Sequence, residues 1–192
     1  MRRRRAPDRL ALLVLGSCLA AGAARGQLAI APNEPAPVLE GIAHGSFKPW
    51  TVDWSEGKLT LVNFWAEWCE PCKELMPRLQ DLYLRRGADG LRVIGVHEPD
   101  LSVDQVRDFL RPLNVTYPIL RQSRKRAAEW GVTVLPTSYL VDAEGRIVRR
   151  YAGARRALAD ALISDAEAVL EGRPLGTLLL PQEPPPSGAD GS

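Results

Sequence analysis

Two cysteines one helical turn apart, Cys69 and Cys72, stand in the stretch Trp65-Ala66-Glu67-Trp68-Cys69-Glu70-Pro71-Cys72-Lys73. Thiols at that spacing can exchange electrons as a dithiol/disulfide couple, ligate a soft metal ion, or staple the chain. A staple across two intervening residues closes too small a loop to stabilise much. Zinc normally takes four ligands, and the only histidines, His44 and His97, show no ligand spacing with the pair. Copper handling by the two thiols stays open as a binding function. The pattern favours the redox couple, which calls for no metal and no bound cofactor because the sulfurs themselves carry the electrons.

That chemistry needs a particular seat. Leu59-Thr60-Leu61-Val62-Asn63-Phe64 is a compact apolar run between Gly57 and the cysteine motif, and it reads as a buried strand. From Pro71 onward Leu75, Leu79, Leu82 and Tyr83 recur at helical spacing, ending near Gly87. The cysteines therefore fall where a strand hands over to a helix. The first turn of a helix presents unpaired N–H groups and the positive end of its dipole, which stabilise a thiolate. A free thiol titrates near ~8.5, and helix-terminal Cys-x-x-Cys thiols fall to roughly 3.5–7.5. Cys69 is expected to be the exposed attacking thiol, and Cys72, further into the helix, the buried one that resolves the mixed disulfide. Glu70 and Pro71 lie between them and are expected to tune the couple. Pro71 suits the first turn because its missing N–H has no partner there.

The remaining elements follow the same logic. Val38–Trp54 reads as an irregular start with a small hairpin, broken by Gly41, Gly45 and Pro49. Leu91–Val96 is a second strand. Ser102 opens an amphipathic helix carrying Val106, Phe109, Leu110 and Leu113, with Asp104 and Gln105 in its first turn. Tyr117–Leu120 is a short strand and Arg124–Trp130 a short helix ending at Gly131. Thr137–Val141 and Arg146–Tyr151 form a hairpin about the turn Asp142–Gly145. Arg155–Leu170 is a last helix with Leu158, Leu162, Ala166, Val169 and Leu170 on its apolar side. The crossovers favour a parallel central pair, the hairpin adds antiparallel strands, and an α/β fold with a mixed β-sheet and helices on both faces is expected.

The N-terminus reads as an export signal. Arg2 to Arg5 and Arg9 precede the apolar run Leu10–Leu15 and the small residues Gly16–Ala24. The run is shorter than the ~20 residues of a spanning helix, although an uncleaved anchor stays open. Ala21-Gly22-Ala23 offers a cleavage site before Ala24, while Leu15-Gly16-Ser17-Cys18 resembles a lipobox that would lipidate Cys18. Removing the five arginines and Asp8 of this segment takes the formal charge from +2 to −2, and no nucleic acid partner is expected. Of the three cysteines, Cys18 lies in this segment, which leaves the close pair as the thiols of the exported domain, a pattern that suits a working couple rather than a disulfide framework. The division expected is residues 1–24 as signal or membrane anchor, 25–37 as linker, 38–172 as the folded domain, and 173–192, Pro-, Gly- and Ser-rich at its end, as a disordered tail.

The motif around Cys69 and Cys72 is very similar to the thioredoxin active-site stretch, with Glu70 replacing the usual glycine. Val134-Leu135-Pro136-Thr137 resembles the loop that carries the family's cis-proline, and Asp142–Arg146 the hairpin turn that follows. The export signal, the Glu-Pro dipeptide, Asn63 and the Val38–Trp54 preface look more like the TlpA/ResA group, periplasmic or membrane-tethered thioredoxin-like proteins, many of them reductants in cytochrome c maturation. The resemblance runs from roughly Pro35 to Leu170. It implies a thioredoxin fold, thiol:disulfide exchange, exported cysteine-containing clients such as apocytochrome c, and a membrane-bound electron donor. It implies that Pro136 and the preceding Leu135 dock an extended client backbone, with Trp68 at the rim, Trp65 in the core and Trp130 packing. An oxidant or isomerase running the same chemistry backwards stays open.

Two positions depart from the pattern. Thioredoxin has a buried aspartate where Asn63 stands. The TlpA/ResA group often has a glutamate where this chain has Leu75, and Glu74 is one position early, about 100° around the helix. His97 and Glu98, after the second strand, are the alternative proton acceptors for the buried thiol.

Overall fold

The computed structural model describes residues 31–46, 48–97 and 101–176, with the backbone alone at Arg124. The signal segment with Cys18, Glu98, and most of the expected tail lie outside the described residues.

The described chain forms strands β1 (Glu40–Ala43), β2 (Pro49–Thr51) and β3 (Leu59–Trp65), helix α1 (Glu70–Arg86), and β4 (Leu91–His97). It continues with α2 (Val103–Leu110), β5 (Ile119–Arg121), α3 (Arg124–Glu129), β6 (Thr137–Asp142), β7 (Ile147–Ala152) and α4 (Arg156–Leu170). The strands make one seven-stranded sheet in the order β2-β1-β5-β4-β3-β6-β7. β3, β4 and β5 are parallel, and β6, β7, β1 and β2 add antiparallel pairs at either side. This is the thioredoxin-like α/β fold expected from the sequence.

Two consecutive crossovers step in the same direction, β3 through α1 to β4 and β4 through α2 to β5. A right-handed crossover rule then puts both helices on one face. The core confirms it. Leu61 and Trp65 of β3 pack with Leu75 and Leu79 of α1, Leu110 of α2 and Leu162 of α4. Val62 and Phe64, pointing the other way, pack with Ala127 of α3, Trp130, Tyr139 and Leu39. Every residue of β3 is buried, because both its faces are covered.

Local signals explain most boundaries. Ser102 caps α2 in a full capping box with Gln105, and α1 begins with a proline in its first turn. Gly145 supplies φ 74° in the turn between β6 and β7, where Asp142 Oδ1 accepts the N–H of Glu144 and Arg146. The hairpin expected in the preface is present as β1 and β2, and it does more than cap the fold: β1 pairs with β5 and so extends the central sheet. β5 starts at Ile119 rather than Tyr117, since Pro118 has no N–H for a ladder and its carbonyl accepts the Gly95 N–H at 2.9 Å.

Candidate active site

Cys69 ends the connection from β3 and is the N-cap of α1; Glu70 and Pro71 open the helix, and Cys72 follows within its first turn. The two sulfurs are bonded at 2.02 Å, with Cα atoms 5.3 Å apart. The backbone N–H of Cys72 and of Lys73 both donate to the Cys69 carbonyl, so the bridge is wound onto the start of the helix. Cys69 retains 4% exposure and Cys72 none. The expectation of an exposed Cys69 is thus corrected in degree: in the bridged form its sulfur is drawn against the helix start, and only the order of exposure remains.

Around the bridge, Trp68 stands 72% exposed, while Trp65 and Trp130 are buried in the core as expected. Glu70 is exposed and pairs with Lys73 at 2.7 Å. The Leu135–Pro136 peptide bond is cis. Its loop is pinned by the Thr137 hydroxyl donating to the Val134 carbonyl at 2.6 Å and by the Gly153 N–H donating to the Pro136 carbonyl at 2.9 Å. Two hollows flank this loop. Trp68 and Leu135 line one of about 210 Å³; Pro71, Glu74 and Pro136 line the other, of about 250 Å³, between α1 and α4.

Beneath Cys72 there is no carboxylate at either expected place. Leu75 is a core residue, and Glu74 points to the second hollow. Asn63 lies on the β3 face that carries Leu61 and Trp65, opposite Gly95 on β4 and Ser138 on β6. It is fully buried, its Nδ2 donates to Ser138 Oγ at 2.9 Å, and its Oδ1 has no hydrogen-bond partner. A Cβ on Gly95 would stand 2.5 Å from Ile119 Cδ1 and 3.0 Å from the Trp65 indole nitrogen, so both side chains would have to shift.

His97 is 1% exposed, its ring 4.6 Å from that of Trp65 and its Nε2 3.3 Å from Glu67 Oε2. It therefore sits beside the motif, but against Trp65 and Glu67. Glu98 lies outside the described residues.

Several groups near the site escape sequence reasoning. Asp165, 5% exposed on α4, accepts from the Tyr151 hydroxyl at 2.6 Å and pairs with Arg149 at 2.7 Å. Burial first, then the bond to Asp165, holds the Tyr151 hydroxyl protonated far above the usual phenol range. A polar residue on the apolar stripe of α4 was the available signal. Gln122, 3% exposed just after β5, had none, since a glutamine after a strand reads as loop. Among the described residues no three His, Cys, Asp or Glu side chains are grouped to hold a metal ion. No described helix is long and apolar enough to cross a membrane.

The geometry has counterparts among known proteins. The model of the AhpC/TSA family matches residues 32–150. The chain is 34% identical over 158 residues to the thiol:disulfide interchange protein HelX of Rhodobacter capsulatus, covering 75% of this chain and 85% of that one. It is 30% identical over 99 residues to the thiol-disulfide oxidoreductase ResA of Bacillus anthracis, covering 51% of this chain and 57% of that one. A solved thiol:disulfide interchange protein of the thioredoxin family from Chlorobium tepidum superimposes with a TM-score of 0.59 at 25% identity, covering 77% of this chain and all of that one.

Proposed function

We propose that this chain, which belongs to the AhpC/TSA family and is a thioredoxin-like thiol:disulfide oxidoreductase, works as an exported reductant of disulfides in client proteins such as apocytochrome c. The observation that carries the reading is a disulfide at the start of α1 beside a cis-proline loop and an exposed tryptophan.

In the reduced protein the Cys69 thiolate, favoured by the amide dipoles of α1, attacks a client sulfur. A bond forms between Cys69 Sγ and that sulfur, and the client's second sulfur leaves as a thiolate that takes up a proton. The Cys72 thiolate then attacks Cys69 Sγ, releasing the client as a dithiol and leaving the Cys69–Cys72 bridge. The client gains two electrons and the protein loses two. Leu135 and Pro136 offer the backbone against which an extended client lies, Trp68 forms its apolar rim, and Glu70 and Pro71 set the potential. Asn63 and Leu75 supply no base at their positions, and the proton that Cys72 gives up is matched by the one the released client sulfur takes up. A membrane-bound donor returns the two electrons, since an oxidising compartment does not. Export rests on the arginine-led apolar segment before Ala24, by cleavage, lipidation of Cys18 or anchoring.

The test is the equilibrium potential of the Cys69–Cys72 couple, titrated against dithiothreitol and glutathione buffers. A value near the ~−270 mV of thioredoxin supports the reductant; a value above about −150 mV would assign the chain to oxidation or isomerisation.

A further inference from the structure

We propose that His97 is a positioning residue for the thiol chemistry: it holds the Glu67 carboxylate at the end of β4, so that this charge does not act on the Cys69 thiolate. The inference rests on the reading of Cys69 as the attacking thiol of a disulfide reductant.

Two acids flank the bridge in the chain, Glu67 two residues before Cys69 and Glu70 directly after it. A negative charge beside a thiol disfavours its thiolate. That opposes the effect of the amides at the start of α1, which favour it. Neither carboxylate is left loose. Glu70 pairs with Lys73 at 2.7 Å, and Glu67 Oε2 lies 3.3 Å from His97 Nε2. An ionised carboxylate can only accept, so the imidazole carries a proton on Nε2 and donates it to Glu67.

The imidazole is the fixed member of the pair. His97 lies opposite Trp65 in the β3–β4 register, its ring 4.6 Å from the indole, which stacks on Phe109 at 5.2 Å. Its carbonyl accepts the Gln122 N–H at 2.9 Å. The His44 ring is 6.3 Å away, and Arg121 is its register partner on β5. Glu67 belongs to the turn that delivers Cys69 to the helix, closed by the Cys69 N–H on the Ala66 carbonyl at 3.1 Å. The two central side chains of that turn divide: Trp68 stands out in solvent, and Glu67 reaches in to His97. In the sheet, β4 and β6 lie on opposite sides of β3. The carboxylate is therefore anchored on the β4 side, while the Leu135–Pro136 loop leads into β6 on the other. Released from His97, a glutamate two residues from Cys69 can swing toward the sulfur, and its charge then holds the proton on the thiol.

The experiment measures, as a function of pH, the rate at which iodoacetamide alkylates Cys69 in the reduced full chain, read by peptide mass. In His97→Leu the midpoint is expected to rise by about half a pH unit or more. Glu67→Asp keeps the charge, is one methylene too short for the bond to His97, and replaces no core side chain; a rise in the same direction is expected. In the double variant, His97→Leu with Glu67→Gln, the charge is gone and the midpoint is expected to return to the wild-type value or below. The cycle separates charge from packing. A midpoint unmoved in Glu67→Asp overturns the proposal. So does a rise in His97→Leu that persists in the double variant, because it would come from packing around Trp65. Reduction of oxidised glutathione by the wild-type protein separates the two levels. If it proceeds while the midpoints coincide, the role of His97 alone falls; if no disulfide is reduced at all, the reductant reading falls and the role of His97 with it.

Discussion

The two hollows beside the cis-proline loop differ in kind. One is walled by Phe64, Val96, Val132 and Leu135 and rests on α3 and the Trp130 cluster. The other opens between α1 and α4 and carries Arg78, Arg155 and Arg156 around a floor of Leu158 and Leu162, with Arg78 paired to Asp160 at 2.6 Å. The contrast separates two ways of handling a partner. Exposed charge in water is screened, and acts on encounter more than on grip. A wall of aromatic and aliphatic side chains discriminates by shape. Arg155 and Arg156 also stand at the N-terminus of α4, where positive charge opposes the helix dipole.

The largest test of the comparison is which sulfur serves the docking face. Cys69→Ser is expected to lower turnover by roughly a thousandfold or more. Cys72→Ser is expected to retain the first step and accumulate client mixed disulfides, read by non-reducing gel or mass spectrometry. Equal trapping by both variants removes the asymmetry on which the docking argument depends.

Packing in the Trp130 cluster and under the basic hollow offers a stability test. Trp130 is fully buried among Phe64, Tyr139 and Trp54, and Trp130→Ala is expected to cost about 3–5 kcal/mol. Leu162, under the basic hollow, is expected to cost about 2–5 kcal/mol as Leu162→Ala. Urea unfolding of both checks the ranking; a larger loss at Leu162 would place the stronger packing on the α1/α4 side.

A smaller effect isolates the apolar rim. Trp68→Ala is expected to lower kcat/KM for peptide clients by about tenfold. Its exposure of 72% predicts a stability within roughly 0.5 kcal/mol of the wild type. A matching loss on oxidised glutathione would show that the indole acts on the sulfur chemistry rather than on docking.

The smallest effect lies away from both hollows. Burial, then His97 and Arg121, hold His44 below its ordinary value of 6.5. A histidine lowered by folding binds fewer protons in the native state than in the unfolded chain. Its contribution is therefore present above about 6.5 and is lost as the pH falls below that value. The fall in Tm between pH 7.5 and pH 5 is expected to shrink in His44→Gln, with the redox rate on glutathione unchanged. An unaltered pH dependence would assign the acid sensitivity elsewhere.

Much of the site was legible because it is built from neighbours in the chain. The strand before Cys69, the helix after it, the proline in the first turn, the Ser102 cap and the Asp142–Gly145 turn all depend on residues a few positions apart. Their hydrogen-bonding and steric rules act locally. Trp65 and Trp130 were readable as core for a similar reason, since large apolar rings bounded by strand and helix have few other places to go.

Tertiary structure decided what those local rules leave open. Residues 82 positions apart meet where Gln122 bonds the Glu40 carbonyl, and Gln80 and Thr116 meet across 36 positions. The same long-range assembly bonds β1 to β5, sets Pro136 across a hollow from Pro71, and buries Asp165 against Tyr151 and Arg149. It also seats His97 against Glu67 and Trp65 rather than in a solvated loop. The sequence by itself determined where the sulfurs sit and which helix dipole they face, because that follows from backbone geometry over one strand and one turn. What surrounds those sulfurs was decided only when the sheet closed, because burial and hydrogen-bond satisfaction are properties of the packed whole.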